Sequence, residues 1–289
     1  MKEPWTTLRL ILWSEEYLES KGVESARLDA EHLIAEALGK DRLELYLQFD
    51  RPLVDEELAS FKPLLLRRGR REPLQYILGR TGFRELELKS DRRALIPRPE
   101  TEVLVGEVLA WAAHRGGVLS AMDVGTGTGA IALSLATEGP FGRVVGTDTS
   151  KDALELAREN AGAVGVDGEL ELRAGYLFEP LEPGERFDLV VSNPPYVAEG
   201  DAPDLAPEIT EWEPSGALFA GPTGLDVIGA LVMDAPDRLN EGGLLALEVG
   251  DGQADDVADL FRQRQAFDEP SIRRDLAGRP RIVMAARGE

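Results

Sequence analysis

The sequence predicts an α/β protein: a sheet of about seven strands, mainly parallel, with helices on both faces, preceded by a small all-α domain and a β-hairpin. Three observations lead there. From Val118 onward, short apolar runs alternate with stretches of helical periodicity. A glycine-rich turn, Gly125-Thr126-Gly127-Thr128-Gly129, directly follows the first of those runs. Before residue 79 the apolar positions keep helical spacing instead.

In chain order, Trp5, Leu8, Leu12 and Leu18 define one helix; Ala26, Ala30, Leu33, Ala37 and Leu38 define a second, ending at Gly39. A short helix is expected over Leu43 to Leu47. Another opens near Asp55 and runs through Leu58, Phe61 and Leu65 to Arg67-Arg68-Gly69-Arg70-Arg71, cations that offset the helix macrodipole. Residues 1–78 thus read as a helical domain. Gly82 to Leu88 alternates apolar and polar residues and reads as one strand, with its partner near Ala94-Leu95-Ile96. This hairpin makes 79–98 a linker. Pro97-Arg98-Pro99-Glu100-Thr101 then opens a helix, with a proline early and carboxylates in the first turn.

The domain at 99–289 has strands at Val118 to Val124, Val144 to Thr147, Leu170 to Arg173, Phe187 to Val191 and Leu244 to Val249. Helices are expected at Ala130 to Thr137, Asp152 to Ala163, 224–239 and 253–265. Two last strands, 270–275 and 281–286, would pair antiparallel and close the sheet.

Composition narrows the function. Hydrophobic residues make up 43% of 289, enough for two unequal domains. With no cysteine there is no disulfide and no thiolate chemistry. His32 and His114 lie far apart, so no metal site is expected. Met1-Lys2-Glu3-Pro4-Trp5 lacks a signal-peptide pattern, and the Leu8 to Trp13 run is too short for a membrane span. A cytoplasmic protein is expected. Acidic residues outnumber basic ones 53 to 32, for a net charge of −21, which argues against a protein that lives on nucleic-acid backbone.

Two motifs carry chemistry. In Asp123-Val124-Gly125-Thr126-Gly127-Thr128-Gly129-Ala130, glycines permit a tight turn after a strand and close backbone approach to a ligand. Asp148 ends the next strand about 20 residues on, where an acidic residue grips ribose hydroxyls. Together they indicate an adenosine-type cofactor. The second motif is Ser192-Asn193-Pro194-Pro195-Tyr196 at the end of an apolar strand. Proline lacks an N–H and fixes φ, so the chain leaves the sheet in a stiff form. The Asn193 amide and the Pro194 carbonyl can each accept one hydrogen of a planar NH2 group, and the Tyr196 ring can wall the pocket.

This order of motifs resembles the class I S-adenosylmethionine-dependent methyltransferases (Rossmann-like) that act on amino groups. PLQYILG (73–79), LIPRPETE (95–102), DVGTGTGAIA (123–132), SNPPY (192–196) and LEVG with Gln253 are similar, in order, to the PrmC/HemK family. These are the peptide-chain release factor N5-glutamine methyltransferases. The resemblance covers almost the whole chain. It implies that S-adenosylmethionine lies along Asp123, Gly125, Thr126, Gly127, Thr128 and Gly129, with Asp148 on the ribose and Asn193 beside the methyl. Tyr176 and Leu177 would flank the adenine. Catalysis would fall to Asn193, Pro194, Pro195 and Tyr196, and Leu95, Pro97, Arg98, Pro99 and Glu100 would form the substrate pocket. The partner implied is a class I release factor presenting the glutamine of its Gly-Gly-Gln (GGQ) loop, methylated in the control of translation termination. No direct DNA binding is expected, and the chain is expected to be a monomer with its helical domain reading the substrate.

One departure stands out. Tyr176 occupies a position where the family usually has an acidic residue reaching the adenine amino group, so stacking or backbone contacts are expected there instead. Two alternatives remain at this point. A DNA adenine-N6 or cytosine-N4 methyltransferase faces the same problem of holding an NH2 group, but would need a base-flipping, duplex-gripping region. A non-catalytic cofactor-binding scaffold would need a damaged acceptor motif, and Asn193 to Tyr196 is intact.

Overall fold

A computed structural model of the protein describes residues 4–166 and 168–288. Met1-Lys2-Glu3, read above for a targeting signal, lies outside them. The chain divides into two compact units: Met1–Gly79 with Ala206–Trp212, and Arg80–Leu205 with Glu213–Glu289.

The first unit is helical. It contains α1 (Thr7–Glu19), α2 (Ala26–Leu38), α3 (Arg42–Leu47), α4 (Asp55–Arg68) and α5 (Leu74–Leu78). Local chemistry sets their ends. The Thr6 hydroxyl accepts from the Arg9 N–H at the start of α1. Asp41 and Glu44 form a reciprocal capping box on α3. Gly39 and Gly79 close α2 and α5 in the left-handed conformation that glycine adopts without strain. The apolar stripes of these helices meet around Ile11, Leu18, Leu33, Ile34, Leu45 and Phe61. The PLQYILG stretch forms α5.

Of the arginines at the end of α4 and just beyond it, Arg67, Arg68 and Arg71 are paired with carboxylates. Arg68 is buried and donates from Nε to Asp29 Oδ2 at 2.7 Å and from Nη1 to Glu208 Oε1 at 2.9 Å. Arg71 pairs with Glu208 too, and Arg67 holds Glu72 through two hydrogen bonds. The motif carries charges that answer carboxylates 39 and 140 positions away in sequence, which composition could not reveal.

The second unit opens with the antiparallel hairpin β1 (Arg80–Phe83) and β2 (Leu86–Lys89). The sequence predicted a single strand through this region paired with 94–96; instead the turn falls inside it, at Arg84-Glu85. Arg84 takes a positive φ of 51°, stabilised from outside the hairpin. Its N–H donates to Glu102 Oε1 and its guanidinium to Glu138. Phe83 and Leu88 point into the larger core, so the hairpin belongs to this unit.

Next come α6 (Pro99–Arg115), β3 (Leu119–Val124), α7 (Ala130–Glu138), β4 (Phe141–Asp148), α8 (Lys151–Val164), β5 (Leu170–Ala174) and β6 (Phe187–Ser192). After them stand α9 (Pro207–Thr210), α10 (Asp226–Asp234), β7 (Leu239–Glu248), α11 (Ala254–Gln263), β8 (Ser271–Arg274) and β9 (Pro280–Ala286). The helix expected over 224–239 stops at Asp234 and tightens into a 3-10 turn, Ala235–Arg238, where Pro236 withholds its N–H. α9 lies in the long connection after β6 and supplies Glu208 to the helical unit.

The seven-stranded sheet has the order β5-β4-β3-β6-β7-β9-β8. The first five strands run parallel; β9 is antiparallel to both β7 and β8, as the sequence led us to expect for the last pair. Both faces are covered, so the strands are apolar on both sides. Ala121, Leu189, Val191 and Ala246 face one core with α6 and α7. Met122, Val190, Leu245 and Leu247 face the other with α10 and α11. Among the described residues, no helix is long and apolar enough to cross a membrane.

Candidate functional site

The strand order reverses at β3. The chain moves outward through β4 and β5, then returns to place β6 on the other side of β3. Crossovers leave in opposite directions there, so the carboxyl ends of β3 and β6 open a crevice, the place where open α/β sheets bind ligands. Gly125 follows β3 and Asn193 follows β6, and the two ends are tied by the Ser192 hydroxyl donating to the Val124 carbonyl at 2.6 Å. A cavity of about 400 Å³ occupies this point.

Gly125 and Gly127, Asp148, Tyr176 and Leu177 line the cavity on the glycine-turn side. Asn193, Pro194, Pro195 and Leu95 line it on the other. Gly125 has φ +74°, and a Cβ built there meets nothing within 4 Å, so the turn leaves open space where a ligand can approach backbone. The Gly125 and Thr126 N–H groups donate to the Thr147 carbonyl, fixing the turn against β4. The Asp148 carboxylate accepts from the Gly127 N–H at 3.0 Å and the Ser150 N–H at 2.8 Å, one on each oxygen. A carboxylate has about four acceptor sites, so both oxygens retain capacity for hydroxyl donors. Burial raises the Asp148 pKa, opposed by those backbone donors.

The other predicted cofactor residues stand behind the turn. Asp123 is fully buried, accepting from the Thr126 hydroxyl at 2.7 Å and the Ala132 N–H at 3.2 Å. Burial pushes its pKa up to about 7. Asp123 therefore braces the turn against α7. The Thr128 carbonyl accepts from Asn160 on α8, and Gly129 lets Leu133 and Ala157 pack within 3.4 Å of its missing side chain. Neither lines the cavity. Tyr176 is half exposed at the rim, so its ring offers a face where the sequence lacks a carboxylate. Leu177 holds a φ of +47°, a strained conformation for a branched side chain and one that clusters at ligand sites.

Asn193 has one amide end committed: Nδ2 donates to Thr101 Oγ1 at 3.0 Å. That leaves Oδ1 as its free acceptor. Tyr196 does not line the cavity. Its ring packs against the core on the α10 and α11 side of the sheet, and burial pushes its phenol up to about 12. Its carbonyl accepts from Gln253 Nε2 at 3.0 Å, while Gln253 Oε1 accepts from the Gly250 N–H at 2.9 Å. Gln253 thus clamps the Asn-Pro-Pro-Tyr segment to the start of α11. Gly224 completes the clamp, since a Cβ there would lie 2.2 Å from the Tyr196 carbonyl oxygen.

Pro97 and Arg98 lead into α6, Pro99 and Glu100 begin it, and none of the four lines the cavity. Arg98 donates to Glu213, whose other oxygen accepts from the Ile96 N–H at 3.2 Å. Burial raises the Glu213 pKa, opposed by Arg98. This pair anchors the segment that presents Leu95. Pro99 is the first residue of α6, and Glu100 accepts from Arg279 at 3.4 Å. Among the described residues no cluster could hold a metal ion. Sequence reasoning missed Thr101, Glu213, Gly224 and Glu248 as parts of this apparatus. Their partners lie far off in sequence; Thr101 and Glu248 were visible only as letters within longer motifs.

Residues 9–79 match the family model of the PrmC N-terminal domain, and residues 118–219 match a methyltransferase domain model. The chain is 46% identical over 281 residues to the release factor glutamine methyltransferase of Geobacter sulfurreducens, covering 97% of this chain and 96% of that one. It is 38% identical over 286 residues to the protein of the same name from Rhodopirellula baltica, covering 97% and 96%. Among solved structures, a methyltransferase from Pyrococcus furiosus superposes with a TM-score of 0.54 at 19% identity over 71% of this chain and 90% of that one, a likeness of fold.

Proposed function

Because the chain belongs to the release factor glutamine methyltransferase family, as an enzyme that uses S-adenosylmethionine, we propose that Asn193 and Pro194 hold the substrate amide at the mouth of the cavity. The observation that carries this reading is the committed polarity of Asn193. With Nδ2 donating to Thr101, its Oδ1 accepts one hydrogen of a glutamine NH2, and the Pro194 carbonyl accepts the other. Gly125, Gly127 and Asp148 would hold the cofactor, with Tyr176 and Leu177 against its base; the open space at Gly125 and the spare acceptors of Asp148 fit it. Bound S-adenosylmethionine supplies an electrophilic methyl on a sulfonium.

An amide nitrogen is a poor nucleophile because its lone pair is delocalised into the carbonyl. Two fixed acceptors orient that nitrogen and stabilise positive charge as it develops there. Positioning of this kind is worth roughly 7–11 kcal/mol in favourable cases. No general base is needed beforehand, since the nitrogen turns acidic only once alkylated. Pro195 stiffens the carbonyl's direction, and Leu95 walls the pocket. Pro97, Arg98, Pro99 and Glu100 set Leu95 in place, and the Tyr196 carbonyl anchors the segment through Gln253.

The reading extends to the partner and its setting. The substrate is the glutamine of the GGQ loop of a class I release factor, read by the helical unit, and the enzyme works in the cytoplasm as a monomer without DNA. A net charge of −21 supports a protein partner over nucleic-acid backbone. Mass spectrometry of a purified class I release factor incubated with the enzyme and S-adenosylmethionine should show one added methyl on that glutamine. Methyl transfer to DNA, with none to release factor, would remove the reading.

Gly224→Ala should lower turnover at least tenfold while the protein stays folded. The added carbon would displace the Tyr196 carbonyl from Gln253, and small misplacement of catalytic groups costs about 100-fold in unfavourable cases. Single-turnover rates beside a thermal melt would check this; wild-type kinetics would show that the clamp does not matter.

A further inference from the structure

Glu248, the last residue of β7, is 1% exposed. A buried carboxylate is expensive unless it is paired, and the hydrogen-bond partner it finds is a hydroxyl. Thr101 Oγ1 donates to Glu248 Oε2 at 2.6 Å, and the same Oγ1 accepts from Asn193 Nδ2 at 3.0 Å. Three side chains from α6, β7 and the end of β6 therefore form one file ending at the cavity.

The direction of that file is decided by proton counting. A hydroxyl owns one hydrogen, and an ionised carboxylate only accepts. With Glu248 ionised, the Thr101 hydrogen goes to Glu248 and a lone pair is left facing Asn193. The Asn193 amide must then turn its NH2 to Thr101 and keep its oxygen for the substrate. We propose that Glu248 and Thr101 are positioning residues that lock the Asn193 amide with its oxygen toward the glutamine nitrogen, and that protonation of Glu248 releases the lock. This rests on the reading of Asn193 given above.

Once Glu248 carries a proton it can donate to Thr101, freeing the Thr101 hydrogen to point at Asn193. The amide then turns over and presents NH2 to the substrate NH2, donor against donor. Burial pushes the Glu248 pKa up to about 7, with Thr101 opposing. Glu100 on α6 raises it further, while Arg281 on β9 and Arg98 before α6 lower it. Arg281 is shared with Asp275, 3.7 Å away, and Glu100 with Arg279. The neighbouring Tyr196 phenol, at about 12, stays neutral over the range in question. The active form is the ionised one, so the rate must fall as pH drops through about 7.

The test is the single-turnover methylation of a purified class I release factor, with saturating S-adenosylmethionine, from about pH 5.5 to pH 9. The wild-type rate should rise about tenfold or more, with its midpoint near neutrality. Thr101→Val should lower the rate at high pH about 10–30-fold and lose the acid limb; Thr101→Ser should restore both. Glu248→Gln, neutral throughout, should show no acid limb at any rate it retains. Thermal melts and cofactor titration establish which variants fold. A flat wild-type profile would overturn the proposal without any variant. So would a Thr101→Val enzyme that is slow but keeps its acid limb, since the hydroxyl would then serve only the fold. Asn193→Ala is measured alongside. If it turns over normally, the reading of Asn193 fails; if it is inactive while Thr101→Val behaves as wild type, only the lock fails.

Discussion

Asn193→Ala is expected to reduce single-turnover methylation by about 100- to 1000-fold, the loss seen when one aimed polar group is removed from a reaction centre. The cofactor dissociation constant should stay within about twofold, because Asp148 and the glycine turn remain. The two numbers together separate the proposed role from general damage. Alanine removes the acceptor and also takes the Asn193 donor from Thr101 Oγ1, but leaves Ser192 tying β6 to β3, so the strand end keeps its place. A cofactor affinity that collapsed in parallel would move Asn193 from holding the amide to building the cofactor pocket. Unchanged turnover would remove it from catalysis.

Arg68→Ala should cost the helical unit about 3–5 kcal/mol, the usual consequence of removing one member of a buried ion pair. Arg68 lies between Asp29 and Glu208, and its loss strands a nearly inaccessible Asp29 carboxylate whose other oxygen accepts from Ser25. Urea unfolding followed by tryptophan fluorescence can read this, since Trp5, Trp13 and Trp212 all belong to that unit. Replacing Arg68, Asp29 and Glu208 together by apolar residues of similar size should recover much of the loss, because desolvation of the charges then disappears as well. A change below about 1 kcal/mol in Arg68→Ala would mean that water reaches the cluster.

The fold was legible wherever burial imposes a period. β3, β6 and β7 announce themselves as apolar runs because both faces of the sheet are covered. The hairpin was misplaced because its turn is stabilised from outside: nothing in Arg84-Glu85 resembles a turn until Glu102 and Glu138 take up its donors. In the site, the glycine turn and Asn193 were readable because each motif is contiguous and stands at a strand end. Asp123 belongs to the same motif yet faces away from the cavity, and spacing cannot tell a ligand contact from a brace behind it. Thr101 was invisible for a different reason. Its bonds to Asn193 and Glu248 span 92 and 147 positions, and no local pattern records a hydrogen bond of that length.

The helical unit is built from two separated pieces of chain, residues up to Gly79 and the segment Ala206–Trp212. During synthesis, therefore, this unit cannot finish when its five helices emerge. Arg68 and Arg71 must wait more than 130 residues for Glu208, through the whole of β3 to β6. Domains of a growing chain ordinarily fold in order from the N-terminus. Here the first unit to appear is completed by a segment that emerges only after β6, and a polypeptide cut after Gly79 keeps Asp29 for Arg68 but lacks Glu208, the carboxylate that Arg68 and Arg71 share.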